Sequence, residues 1–289
     1  MVSRTSSLTA CKQLWDTAGW CVLEDVFPRE HLAAAQGVLP EMFPTAEQVA
    51  AGADRPPAVQ FPFDRGALNR IVVHDALIDL AQLLLETDDV LLYQAMAVAK
   101  YSDGSPDEDQ LLHVDYGNHT LVVPRPDVGY QQVVTFIYLS DVTPETAATR
   151  VVARDRTAGI PVERSYLDLD EYAHLYAQEE CASGPAGSIF VYRTDTFHRG
   201  VPVTAKEAAR FTLAVAFKRA ATDWIGFHAL PARAEDPAWH RFMRHATERQ
   251  LTVLGFPKPG DAYWTAETLA GVAARYPSLD LSPWREATQ

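Results

Sequence analysis

The chain has 289 residues, and its 25 Lys and Arg against 38 Asp and Glu give a formal net charge of −13. Apolar residues make up 47% and charged residues 22%, which excludes an intrinsically disordered chain. The acidic balance argues against nucleic acid as a partner. No apolar run approaches the roughly 20 residues of a membrane span, and residues 1–9 do not have the pattern of a signal peptide. We therefore expect a cytoplasmic protein with no membrane partner.

The N-terminal ninety residues alternate between helix and strand signals. Helices are predicted over residues 8–18, 29–36 and 76–85, with a short strand at 20–23. The stretch 40–65 contains five prolines and little periodicity, which favours an irregular loop that covers a pocket. Phe61 and Phe63 are the candidates within this loop for lining that pocket.

The middle of the chain is rich in β-branched and aromatic residues, and Gly, Pro, Asp and Asn punctuate it. Many short strands with turn signals between them predict a sandwich or a barrel. A polar insertion at 167–180 is helix-prone. The predicted strands cover residues 90–101, 110–116, 119–123, 130–139, 149–153, 187–192, 200–204 and 210–218.

The last seventy residues change from strand to helix signals. Pro237 opens a predicted helix that runs to about residue 254, and Thr265 caps another over 266–275. These helices are too short to enclose a core of their own. We therefore predict one domain over residues 1–289, with a β core at about 90–220 and a C-terminal helical extension at about 235–289.

The best candidates for a reactive or metal-binding site are His113, Asp115 and the distant His198. In a strand, residues i and i+2 point to the same face, so His113 and Asp115 would present an imidazole and a carboxylate together. Two histidines and one carboxylate on one face of an octahedron are typical of non-haem Fe(II) oxygenases. An H-x-[DE] triplet alone is weak evidence, because a chain of this composition contains about one by chance.

An arginine supports the metal hypothesis. Arg210 lies twelve residues after His198, at the start of a predicted strand. Its guanidinium can hold a dicarboxylate through a bidentate pair while the other end of that molecule chelates the metal. Thr212 shares the strand face of Arg210 and can add a hydroxyl donor.

Several segments together resemble a bacterial member of the phytanoyl-CoA dioxygenase-like family of Fe(II)/2-oxoglutarate-dependent oxygenases. The resemblance runs from about Trp15 to Trp284, and the segments that carry it are AKYS (99–102), QLLHVDYGNHTLVVP (110–124), YLSDVT (138–143), GSIFVY (187–192), FHRG (197–200) and LGFPKPGDAYWT (254–265). The chain departs from the family at 144–155, where many members have an Asn-Gly-Pro turn and a Pro-Gly-Ser-His loop.

The resemblance implies a mostly β fold, with a double-stranded β-helix (jelly-roll or cupin-like) core and with N- and C-terminal helices packed outside it. It also implies that His113, Asp115 and His198 hold Fe(II), and that Arg210 binds the co-substrate 2-oxoglutarate. Gln94 and Gln110 lie where relatives often help to hold the 2-oxoglutarate carboxylates. His119 shares strand parity with His113, which would make it a group that supports the metal ligands unless Gly117 breaks that parity.

The reaction implied by the resemblance uses O2 to oxidise a C–H bond of a small-molecule metabolite, most simply by hydroxylation, and releases succinate and CO2. Asp115 occupies the position that halogenating relatives leave vacant, which disfavours chlorination. Desaturation, cyclisation and epimerisation use the same triad and remain open. The residues do not indicate the substrate, whether it is free or carrier-bound, or the oligomeric state.

Two other classes of function use the same residues. A non-catalytic relative would use the core as a binding module for the metal and 2-oxoglutarate. A zinc hydrolase would use the three ligands with a bound water, although this leaves no role for Arg210.

Overall fold

The computed structural model describes most of the chain as a β core with helices around it. No helix within the described residues has both the length and the apolar character needed to cross a bilayer. The described residues are 4–102, 109–115, 119, 131–161, 166–222, 225–226, 230 and 236–288.

Two sheets form the core. Their strands are β1 Arg4–Thr5, β2 Trp20–Leu23, β3 Val59–Gln60, β4 Val90–Tyr101, β5 Leu112–His113, β6 Gln132–Tyr138, β7 Arg150–Val151, β8 Tyr166–Leu167, β9 Glu180–Cys181, β10 Ile189–Tyr192, β11 His198–Arg199 and β12 Ala209–Arg219. The larger sheet has seven strands in the order β1-β2-β10-β6-β12-β4-β3, and the smaller has five in the order β8-β5-β11-β7-β9. All neighbouring strands are antiparallel except β1 and β2, which are parallel.

Both faces of the larger sheet are covered, as β10 shows. Ile189 and Val191 belong to the apolar core that the sheet shares with the helices. Phe190 and Tyr192 alternate with them and belong to a second cluster on the opposite face. We call these the helical face and the inner face of the sheet. The sequence shows an uninterrupted apolar run here because both faces are buried.

Helices from both ends of the chain cover the helical face. Trp239, Leu251 and Trp284 of the C-terminal region lie in the same apolar cluster as Leu77 of the N-terminal region and the sheet residue Leu213. The α-helices are Leu8–Thr17, Arg29–Gly37, Ala46–Ala50, Gly66–Val72, Asp75–Leu85, Ala173–Tyr176, Pro237–Met243, Glu248–Thr252, Ala266–Arg275 and Ser282–Ala287, and the 3-10 helices are Leu39–Glu41 and Arg154–Arg156.

The long strands and the N-terminal helices lie close to their predicted bounds, but the single helix predicted from Pro237 to about residue 254 is wrong. The structure has two helices there, because Thr247 begins the second one with a capping box to Gln250. The predicted strand at 200–204 is also wrong, since the ladder ends at Arg199. The insertion at 167–180 is helical only over Ala173–Tyr176.

The loop predicted at 40–65 is partly ordered into short elements, and its aromatic side chains do not face the inner side. Phe61 and Phe63 are 0% and 2% exposed and lie in the core on the helical face. Phe61 packs edge-on against Trp239 and Phe242, with ring centroids 5.6 and 5.2 Å away. The prediction that Phe61 and Phe63 line the substrate pocket is therefore wrong for a pocket on the inner face, since both pack on the helical face.

Candidate metal centre

His113, Asp115 and His198 converge between the two sheets. Strands β5 and β11 pair so that His113 lies directly opposite His198. Asp115 follows in a turn, so the predicted strand at 110–116 ends at His113. Nε2 of His113 lies 3.8 Å from one Asp115 carboxylate oxygen, and Nε2 of His198 lies 3.6 Å from the other. One ligand atom from each of the three residues lies within 4.8 Å of the others, which is the spacing of a metal-ligand set.

Backbone carbonyls orient both imidazole rings. Nδ1 of His113 is 2.8 Å from the carbonyl oxygen of Leu111, and Nδ1 of His198 is 3.0 Å from that of Thr196. A carbonyl can only accept, so Nδ1 carries a proton in each ring, and in a neutral ring Nε2 keeps its lone pair. Both Nε2 atoms face Asp115. This arrangement, in which the far nitrogen is held by a hydrogen bond, is common in metal-binding histidines.

The Asp115 carboxylate has a buried hydrogen-bond donor. The hydroxyl of Tyr192, on the inner face of β10, donates to Oδ2 of Asp115 over 2.5 Å. Burial opposes ionisation of Asp115, but the neighbouring imidazoles, His198 first, and the Tyr192 hydroxyl outweigh it and lower the pKa of the carboxyl. Burial and the Asp115 charge raise the pKa of Tyr192 well above its ordinary value, so it stays a donor.

Burial lowers the pKa of His198, so its imidazole is neutral at pH 7. A neutral imidazole and an ionised carboxylate are the states that bind a metal. Asp115 and His198 therefore have the protonation states of metal ligands.

The turn at Gly19 supports the segment that carries His198. The carbonyl of Gly19 accepts hydrogen bonds from the Thr196 hydroxyl, at 3.0 Å, and from the Arg193 backbone N–H, at 2.9 Å. A Cβ at Gly19 would lie 2.4 Å from side-chain atoms of Arg154 and Thr196. Gly19 has a φ of +82°, so the backbone conformation and the close approach both require glycine.

Arg210 and Thr212 lie on the inner face of β12. The Arg210 guanidinium donates from Nη1 to the carbonyl of Ala147, in the segment where the sequence departs from the resembled family. A guanidinium carries five donors, and this bond takes one of them. Thr212 is 2% exposed, and its Oγ1 has no hydrogen-bond partner among the described residues.

Gln94 and Gln110 lie apart from each other. Gln94 is six residues along β4 from Lys100, the residue that pairs with Arg210. That is about 20 Å of strand, too far for Gln94 and Arg210 to hold the same carboxylate. The Gln94 Oε1 is buried without a hydrogen-bond partner in the described chain. Gln110 lies near the end of β11, where its Oε1 accepts the Gly200 N–H at 2.9 Å.

No sequence motif indicates a role for Tyr192, Tyr93 or Gln132. A register shift in the β4–β12 ladder inserts Tyr93 as an extra residue, and Tyr93 joins the inner-face cluster. Its hydroxyl lies 2.8 Å from Nδ1 of His119, which is 5% exposed and interacts electrostatically with Asp115. Gln132 is 2% exposed, and neither polar side-chain atom has a partner in the part of the chain that is described. The sequence signal for Gln132 was a glutamine at the start of an otherwise apolar strand.

The structure is similar to several solved enzymes, at low sequence identity. The non-haem α-ketoglutarate-dependent epimerase SnoN of nogalamycin biosynthesis is 14% identical, with 74% of this chain and 83% of SnoN covered and a TM-score of 0.53. HygX from Streptomyces hygroscopicus, solved with nickel and 2-oxoglutarate, is 16% identical, with 73% and 87% covered and a TM-score of 0.53. The non-haem α-ketoglutarate-dependent carbocyclase SnoK is 15% identical, with 73% and 83% covered and a TM-score of 0.54.

These likenesses show that the chain has the fold of these enzymes. No protein-family model matches the sequence, and no curated protein matches it.

Proposed function

We propose that the chain is an Fe(II)/2-oxoglutarate-dependent oxygenase of the phytanoyl-CoA dioxygenase-like family, with a double-stranded β-helix core in a single domain. The observation that carries the proposal is the convergence of His113, Asp115 and His198, with both Nε2 atoms facing the carboxylate. The fold of SnoN, HygX and SnoK supports it.

The residues fit a ferrous ion. Two imidazoles and one carboxylate make a ligand set that leaves coordination positions for other molecules. Carbonyls orient both rings, and Tyr192 orients the carboxylate. Structural zinc sites fill all their positions with protein ligands, often cysteines. No cysteine belongs to the cluster found in the described residues.

The inner face also fits a keto-diacid. Arg210 supplies a guanidinium for one carboxylate, and the buried Thr212 hydroxyl lies two residues away on the same face. Gln110 lies at the end of β11 and can contribute through its amide group. We assign Gln94 and Gln132 to binding of the organic substrate, because their buried polar atoms require partners. Gln94 lies too far along β4 to bind the 2-oxoglutarate carboxylate that Arg210 holds.

When bound, iron and 2-oxoglutarate together supply the activation of O2, with release of succinate and CO2. The protein binds and orients the reactants and excludes water. Tyr192 holds the carboxylate of Asp115 in one orientation, and the aromatic rings of Phe136 and Phe190 around Tyr192 keep the inner face apolar.

We propose hydroxylation of a C–H bond in a small-molecule metabolite as the reaction. SnoN is an epimerase and SnoK a carbocyclase, so one fold serves several outcomes, and epimerisation, cyclisation or desaturation are the alternatives. A binding module without catalysis is the second candidate, since the same residues would hold the metal and 2-oxoglutarate.

Removal of the carboxylate ligand tests the metal site. Asp115→Ala is expected to abolish succinate formation from 2-oxoglutarate, and to abolish the weak visible band that appears when Fe(II) and 2-oxoglutarate bind without oxygen. Asp54→Ala removes an exposed carboxylate and should leave both signals intact. Full activity in a His113→Ala/Asp115→Ala double variant would contradict the proposal. A visible band without succinate formation across a library of small molecules would favour the binding module.

Removal of the guanidinium tests the co-substrate site. Arg210→Ala is expected to raise the 2-oxoglutarate concentration for half-maximal turnover by about tenfold or more, because a charge-assisted bidentate contact is lost. Affinity for the metal alone should stay unchanged, which an Fe(II) titration measures. An unchanged 2-oxoglutarate requirement would show that another residue holds the distal carboxylate.

A further inference from the structure

A cavity of about 360 Å3 opens on the helical side of the molecule, away from the metal centre. Its apolar floor is formed by Phe63, Val73 and Phe242, all in the core that packs on the helical face. The metal ligands lie on the other side of the sheet, where Tyr192 of the inner face contacts Asp115. The sheet therefore separates the cavity from the proposed chemistry.

The rim of this cavity is cationic. Arg70 faces it from the helix Gly66–Val72, and Arg241, Arg244 and His245 face it from the end of the helix Pro237–Met243 and the residues that follow. Asp64 is the acidic residue among the lining residues, and it is paired with Arg241. A cluster of basic residues is unexpected in a chain with a net charge of −13.

Arg70 and Arg244 form no ion pair with any residue that the structure describes. Other arginines of the same region are neutralised: Arg65 pairs with Glu41 at 2.7 Å, and Arg249 pairs with Asp75 and Asp79. Two uncompensated guanidiniums at one cavity give a local charge of about +2. This charge matches the phosphate monoester dianion, which carries about −1.5 to −2 at pH 7.

The cavity walls are tied in place. Asn69 is 5% exposed, and its side chain accepts the Phe63 backbone N–H at 2.8 Å and donates to the Phe63 carbonyl at 2.9 Å. On the other wall, the Gln250 amide donates to the Val73 carbonyl at 3.2 Å. The floor is therefore formed before a ligand arrives, which reduces the entropy that binding costs.

We propose that this cavity binds a phosphate monoester with an apolar or aromatic organic part. Arg70 and Arg244 would hold the phosphate through charge-assisted, bidentate hydrogen bonds. Phe63, Val73 and Phe242 would contact the organic part. The volume falls within the range of small-molecule sites. The proposal is independent of the iron and 2-oxoglutarate chemistry.

Calorimetric titration of the metal-free protein with phenyl phosphate tests the site. We expect saturable binding at one site, weakened about tenfold or more in an Arg70→Gln/Arg244→Gln variant. Arg285→Gln removes an exposed arginine that does not line the cavity, and it should bind as the wild type does. Circular dichroism and thermal unfolding of each variant show whether it is folded.

Three further titrations decide the chemistry and the location. Phenol and inorganic phosphate should each bind at least about tenfold more weakly than phenyl phosphate, since each lacks one half of the recognised group. The proposal would be overturned if either probe bound as tightly as phenyl phosphate. It would also be overturned if the double variant bound phenyl phosphate as tightly as the wild type does, or if phenyl phosphate showed no saturable binding. Arg210→Ala should bind phenyl phosphate normally, whereas loss of binding there would place the ligand at the 2-oxoglutarate site and overturn the cavity assignment.

Discussion

Tyr192 shows how a single side chain connects the two sheets at the metal centre. It is 1% exposed, its ring lies 4.5 Å from that of His198, and its hydroxyl binds the Asp115 carboxylate. The bond occupies one lone pair of Oδ2 and sets the orientation of the carboxylate. An unrestrained carboxylate would rotate and pay entropy on binding the metal.

Loss of this hydroxyl is the test at the scale of one residue. Tyr192→Phe keeps the ring packing and is expected to weaken Fe(II) binding about 10- to 100-fold, because residues that orient metal ligands have effects of this size. A competitive metal titration measures this.

Tyr263→Phe is the matched control, since the Tyr263 side chain is 47% exposed and far along the chain from the ligands. Unchanged metal affinity in Tyr192→Phe would show that the ring packing alone positions Asp115. Full metal occupancy of Tyr192→Phe at a higher metal concentration would separate a positioning role from loss of the fold.

At the scale of elements, the turn between the first helix and β2 supports the strand that carries His198. Ala18 and Gly19 supply backbone carbonyls that accept hydrogen bonds from Arg154 and Arg193. Asp195, whose side chain is 3% exposed, is bridged by the guanidiniums of Arg154 at 2.7 Å and Arg193 at 3.0 Å. A buried carboxylate with two such partners is compensated. This network ends at Asp195, three residues before the ligand His198.

A pair of glycine substitutions separates backbone strain from this close approach. Gly19 and Gly159 have nearly the same φ, +82° and +86°, but a Cβ at Gly159 meets nothing within 4 Å. Gly159→Ala should therefore cost about 1 kcal/mol, the penalty for a positive φ. Gly19→Ala should cost about 1–3 kcal/mol more through overpacking and should weaken metal binding.

Denaturant unfolding and a metal titration of both variants check this prediction. Equal losses of stability in the two variants would contradict the close approach at Gly19. A loss of stability in Gly19→Ala with unchanged metal affinity would show that the Thr196 segment tolerates movement of the turn at Gly19.

At the scale of the whole molecule, the C-terminal helices share the apolar core of the sheet. The indole N–H groups of Trp264 and Trp284 both donate to the Pro257 carbonyl, at 2.9 and 2.8 Å. Trp284 is fully buried although it lies near the end of the chain. We therefore expect the C-terminal region to unfold together with the β core.

A substitution at Trp284 tests this cooperativity. Trp284→Ala is expected to lower the free energy of unfolding by about 3–5 kcal/mol, the range for a buried tryptophan, within a single transition. Tyr263→Ala, at an exposed aromatic residue, should cost about 1 kcal/mol or less. Two separate transitions, by near-ultraviolet circular dichroism and by calorimetry, would show that the region is a separate domain.

The long elements could be predicted from the sequence because their signals are local. Val90–Tyr101 and Trp20–Leu23 have the predicted bounds, since β-branched and aromatic runs between turn residues specify strands over a few residues. The H-x-D triplet alone was weak evidence, and the resemblance to the oxygenase family implied that His113, Asp115 and His198 are the ligand set. The break between the helices Pro237–Met243 and Glu248–Thr252 was missed because the periodic apolar pattern continues across Thr247.

What the sequence determined by itself was thus a strand-rich core, the helices at both ends and the chemistry of a candidate ligand set. Only the tertiary structure decided that Tyr192 contacts Asp115, that Gln94 lies about 20 Å of strand from the partner of Arg210, and that Phe61 and Phe63 pack on the helical face. These facts depend on which strands become neighbours and in what register. Pairing between residues distant in the chain leaves no mark in a local pattern.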